Sequence, residues 1–147
     1  MIPEFVDGVN LEHGAHRCTM DEVRARFGMG PREKLFNSLE HLLDMARRCG
    51  FLYALIGGSF ATAKLEPDDL DITWFGPSGM DKSNVPCECV SLMESEYARD
   101  RFGHDLMFIP LPEQADKQLE QMERFGRDLG FDVKTMTNRG TLLLELT

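Results

Sequence analysis

Apolar residues recur three and four apart from Leu35 through Leu39, Leu42, Leu43, Met45 and Ala46. This is the period of a helix with one buried face. The spacing predicts a helix that opens near Pro31 and ends at Gly50, residues suited to a first turn and a far cap. Before it, Thr19 and Glu22 stand in capping-box spacing and predict a short helix to about residue 27, closed by Gly28-Met29-Gly30.

Short apolar runs of strand length follow at 51–56, 70–75 and 104–109. The first runs into Gly57-Gly58-Ser59. Between the second and third lie a loop over 76–86, with Gly76-Pro77-Ser78-Gly79 as its strongest break, and a helix over about 89–101 stopped by Gly103. Pro110 and Pro112 end the third run. A helix over about 113–127 presents Leu119, Met122 and Phe125 or Gly126 at spacing three to four. The tail, 133–136 and 141–146, reads as a hairpin or edge strands around Asn138-Arg139-Gly140. Residues 1–18, rich in Gly, Pro and His, read as an irregular arm, and 19–147 as one α/β domain with a mixed sheet flanked by helices.

Length and charge narrow the function classes. The 147 residues suffice for one real core. No apolar run approaches the roughly 18 residues of a membrane span, and the N-terminus lacks a basic start and an apolar stretch. The expected location is the cytoplasm, with no membrane partner. A formal charge of −9 argues against broad, sequence-independent nucleic-acid binding, which needs basic surface. The four cysteines, Cys18, Cys49, Cys87 and Cys89, show no disulfide framework and are expected to be reduced thiols. His13, His16 and Cys18 with Cys87 and Cys89 match no common zinc spacing.

The most informative stretch lies between Gly57 and Asp71. A Gly57-Gly58-Ser59 turn leaves the first strand. About ten residues on come Asp69 and Asp71, separated by Leu70. On a strand, alternate residues share a face, so the two carboxylates would point together while Leu70 and Ile72 turn into the core. Adjacent carboxylates repel unless a cation sits between them, and oxygen-only ligands favour Mg²⁺ or Mn²⁺. Asp105, at the start of the third run, is a candidate third carboxylate. Glycines let a phosphate approach the backbone, Ser59 adds a hydroxyl, and Lys64 is a candidate triphosphate contact. Arg139 is a more distant one.

Each residue also has a plain structural reading: a tight turn for Gly57-Gly58, an acidic loop for Asp68-Asp69, an ion pair with Arg99 or Arg101 for Asp105, a solvated side chain for Lys64.

The ordered set resembles the signature of the polymerase-beta-like nucleotidyltransferase superfamily: Gly-Gly/Ser, a spacer, then Asp-x-Asp. The chain is similar in particular to a family of small bacterial nucleotidyltransferase-like proteins. The shared residues run from Ile2-Pro3 and Thr19-Met20-Asp21-Glu22-Val23 through Gly58-Ser59-Phe60-Ala61-Thr62 and Asp69-Leu70-Asp71. They continue to Arg101-Phe102-Gly103-His104-Asp105-Leu106 and Gly140-Thr141-Leu142-Leu143-Leu144.

The resemblance implies a nucleotidyltransferase-type fold with Asp69, Asp71 and Asp105 as catalytic metal ligands and Gly57, Gly58, Ser59 and Lys64 at the nucleotide. It implies transfer of a nucleoside monophosphate from a nucleoside triphosphate such as ATP to a hydroxyl on protein, RNA or a small molecule. A small-molecule acceptor would call for an oligomer, because the chain is short. The superfamily also holds inactive members, and the alternative is a partner protein that binds a cognate toxin or antitoxin, or serves in phage defence. Many active relatives carry a basic residue just after Gly-Ser, where this chain has Phe60-Ala61-Thr62. The transferase reading requires the three carboxylates to converge and to be free of guanidinium groups.

Overall fold

The computed structural model describes every residue except 133, 135 and 147. Five strands form one mixed sheet. In chain order they are β1 (Gly14–Cys18), β2 (Tyr53–Gly57), β3 (Asp71–Gly76), β4 (Asp105–Pro110) and, after the two short strands β5 (Phe131–Asp132) and β6 (Thr137–Asn138), β7 (Gly140–Glu145). The spatial order is β1-β7-β2-β3-β4. The outer pairs, β1 with β7 and β3 with β4, are parallel, and β2 runs antiparallel to both its neighbours.

The helices are α1 (Met20–Phe27), α2 (Glu33–Arg48), α3 (Cys87–Met93), α4 (Ser95–Phe102) and α5 (Ala115–Leu129). The expected capping box is present at α1: Glu22 N–H donates to Thr19 Oγ1 at 3.2 Å and Thr19 N–H to Glu22 Oε1 at 3.1 Å. Helix α2 buries Leu39, Leu42, Leu43 and Ala46 of the predicted stripe together with Phe36, while Leu35 and Met45 are only partly buried.

Alternation along the strands divides the interior into two layers. Ile72, Trp74, Leu106, Leu142 and Leu144 face a large cluster shared with α1, α2, α3 and α4. Leu55, Phe75 and Leu143 face a smaller one with Met122 of α5. Helix α5 packs on β1, β2 and β7. The second layer is therefore thinner toward β4, where Met107 stands 41% exposed.

Four expectations are corrected. The arm over 1–18 is not wholly irregular: residues 14–18 are edge strand β1, hydrogen-bonded to β7. Its half-exposed, mixed composition carries no alternation to read. The tail segment 141–146 is not at an edge; β7 lies between β1 and β2, buried from Gly140 to Leu144. The other expected tail piece, 133–136, falls partly outside the described residues. The single helix over 89–101 is two, broken at Glu94, whose backbone is extended. Finally, Cys49 and Cys89 are joined as a disulfide across a sequence separation of 40, leaving Cys18 and Cys87 free. The sequence separation of 40 hides from the sequence that α2's end meets α3.

Candidate functional site

One end of the sheet gathers the turn and the carboxylates. Strand β2 ends at Gly57, opposite Asp71, the first residue of β3. Asp71 in turn lies in register with Asp105, the first residue of β4. The parallel pairing thus sets two carboxylates side by side on one face, the face thinly covered beyond α5. Asp69 is not on the strand. It precedes β3 in an irregular stretch, a small departure from the expected shared strand face, while Leu70 and Ile72 are fully buried as expected.

The turn is shaped for close approach. Gly58 has φ +65°, and a Cβ there would lie 3.1 Å from the Asp71 Cβ. Any side chain would be both strained and crowded. Residues 58–61 then form one 3-10 turn, with Phe60 and Ala61 in the core. The loop beyond is held by Arg32, a nearly buried guanidinium that donates to the carbonyls of Phe60 at 2.8 Å, Thr62 at 2.6 Å and Lys64 at 2.5 Å. Lys64 Nζ sits 3.7 Å from Asp68 and is half exposed.

A guanidinium spans the acidic group. Arg99 of α4 places Nη1 3.0 Å from Asp69 Oδ2 and Nη2 3.2 Å from Asp105 Oδ1. The requirement that the carboxylates be free of guanidinium is therefore not met by Asp69 and Asp105. Among the described residues, no three His, Cys, Asp or Glu side chains are gathered closely enough to hold a metal ion as they stand. Asp71 has no guanidinium partner among the described residues. Burial, reinforced by the charges of Asp105 and Asp69 and eased by Arg99, pushes its carboxyl up to about 6. It keeps solvent-accessible area, yet protein crowds it on the Gly58 side. One guanidinium against three carboxylates leaves negative charge in excess, and the raised Asp71 registers it. An oxygen-only set with excess charge suits Mg²⁺ or Mn²⁺ in donor chemistry. It suits neither in its present pairing, because Arg99 takes up two of the three groups.

Beside Asp71 opens a cavity of about 160 Å³, lined also by Gly58, Gly130, Asp132, Arg139 and Thr141. Arg139 Nη2 bonds Asp132 Oδ2 at 2.7 Å, and its Nε is buried without a partner among the described residues. The approach is tight: a Cβ at Gly130 would overlap the Arg139 carbonyl oxygen. His104, next to Asp105, accepts the Leu70 N–H at Nδ1 over 3.0 Å, holding the backbone between Asp69 and Asp71. Burial draws this imidazole below its ordinary range despite the pull of Asp69.

Asp69, Asp71, Asp105, Gly57 and Gly58 thus share one end of the sheet, with Ser59 following in the turn, whereas Lys64 pairs with Asp68. Arg99 was legible as a rival partner of Asp105. Arg32 and Asp132 carried no signal, and His104 entered only within the run shared with the resembled family, without a role, because their contacts arise from long-range packing onto loops.

The fold and this end of the sheet define a single α/β domain with an acidic, glycine-edged cluster at the strand ends. The chain belongs to the family of unknown function DUF6932, whose model matches residues 3–144. No curated protein and no solved structure matches it. Among the described residues, no helix is long and apolar enough to cross a membrane.

Proposed function

We propose that the protein is a metal-dependent nucleotidyltransferase whose acidic cluster rests closed by Arg99. The observation that carries this reading is the in-register pair Asp71 and Asp105 beside the Gly58 turn, with negative charge left over after Arg99 is counted. Asp69, Asp71 and Asp105 would hold Mg²⁺ or Mn²⁺, which supplies positive charge at a transferring phosphoryl group. The Gly57-Gly58-Ser59 turn would receive phosphate oxygens of a nucleoside triphosphate, with the Arg139 guanidinium across the small cavity. In the present pairing Asp69 and Asp105 are not free of guanidinium, so the reading requires Arg99 to swing away before a cation enters. Its pairs are solvent-exposed, and exposed ion pairs hold weakly.

Arg99 also favours a second reading. A guanidinium fixed across Asp69 and Asp105 is what a catalytically inactive, nucleotidyltransferase-like partner protein of a toxin–antitoxin or defence pair could retain.

Incubation with labelled nucleoside triphosphates, Mn²⁺ and cell lysate separates the two. The transferase reading expects labelling of an acceptor, its loss in the Asp69→Asn, Asp71→Asn double variant, and an increase in Arg99→Gln. Equal labelling by the wild type and the double variant would end it. No labelling by either the wild type or Arg99→Gln, with cognate-partner binding indifferent to the Asp changes, selects the partner reading.

A further inference from the structure

A separate cavity of about 390 Å³ opens between α2 and the C-terminal end of α4, in the size range of small-molecule sites. Lys34, Asn37 and His41 lie three and four apart on α2 and so share one side of it. All three are exposed, and none of their side chains has a hydrogen-bond or ion-pair partner among the described residues, the Lys34 carbonyl alone accepting from Ser38 Oγ at 3.3 Å. Leu42 and Phe102 supply the apolar lining. His104 completes the wall. Because its Nδ1 accepts the Leu70 N–H, its proton sits on Nε2, a donor. The Arg101 guanidinium lies 5.0 Å from the Phe102 ring centroid and adds positive field.

The chemistry of this lining is unusual for the chain. On a protein of formal charge −9, no carboxylate among the described residues lines the cavity. Asp69 and Asp105, which act on His104 from the neighbouring end of the sheet, are bridged by Arg99. What remains is a set of donors and cations beside an aliphatic and an aromatic surface.

We propose that this cavity binds a small ring-bearing anion, its phosphate or carboxylate held by Lys34 and His41 and its ring against Leu42 and Phe102. The site does not depend on the acidic cluster being catalytic.

Calorimetry and amide NMR with phenyl phosphate, benzoate and phenol test it. Phenyl phosphate or benzoate should give saturable shifts at Ser38, His41 and Phe102, and the tighter of the two identifies the anionic group. Phenol, with the ring and no charge, should bind at least about tenfold more weakly. The exposed double change Lys34→Ala, His41→Ala should weaken the anion about tenfold at unchanged melting temperature. The Asp69→Asn, Asp71→Asn variant should bind the probe like the wild type, so this site and the transferase reading fail separately. Absence of shifts with both anions, or equal affinity of the Lys34/His41 variant, overturns the proposal.

Discussion

The two faces of the sheet are built differently. On one, four helices cover the strands and every inward residue of β3, Ile72 and Trp74, is fully buried. On the other, a single helix, α5, packs on β1, β2 and β7, and the start of the β3–β4 pair is left with two carboxylates side by side. The first face is where burial stabilises the fold. The second is where repulsion is tolerated, which is the usual mark of a functional surface rather than a stabilising one.

Core truncation should show the contrast most strongly. Trp74→Ala on the covered face should cost about 3–5 kcal/mol, while Met107→Ala on the open face should cost under about 0.5 kcal/mol. Chemical denaturation of both variants measures the gap, and equal losses would erase the distinction between the faces. Next in size is the Cys49–Cys89 link, which fastens α3 to the end of α2 on the covered side. Its reduction should cost about 2–4 kcal/mol and lower the melting temperature, whereas the Cys49→Ser, Cys89→Ser variant should no longer respond to reductant.

The smallest effect belongs to the open face. Asp71 titrates near 6 when folded, above its ordinary value of 3.8. The folded chain then binds more protons than the unfolded one between those values, so stability falls as pH rises from about 4 through 6. A rise of this size amounts to about 3 kcal/mol at full burial, and screening at an accessible carboxylate reduces it to about 1 kcal/mol. Asp71→Asn should therefore be more stable than the wild type at pH 8 and no more stable at pH 4, as thermal melts at the two values would show. Asp7 behaves oppositely: hydrogen bonds from the Asn10 and Val9 backbone and the Asn10 amide hold it down to about 2, and its contribution is lost only as pH falls toward that value.

The same contrast decides what the sequence could disclose. The covered face was legible because helical spacing in α2 and apolar runs in β2 and β3 are local signals. The strand pair that aligns Asp71 with Asp105 was legible only as an expectation about chemistry, since register is set by the α3–α4 crossover between them. The inner position of β7 was hidden because it is set by pairing with β1 and β2, both distant in sequence, although the run Leu142-Leu143-Leu144 is of the kind a fully buried strand carries. Arg32 is an ordinary surface residue by type, and only the fold brings it to the loop after Ser59; Arg99 was legible as a partner of Asp105, but its second contact, to Asp69, came only with the fold.

The most direct test of the central claim, that the open face is an acidic cation site latched by one arginine, is a Mn²⁺ titration followed by paramagnetic broadening of amide signals. The account predicts selective loss of the Gly58, Asp71 and Asp105 signals in the wild type, at lower Mn²⁺ in Arg99→Gln, and no selective loss in Asp71→Asn, Asp105→Asn. Uniform broadening, or identical profiles in all three proteins, would contradict it.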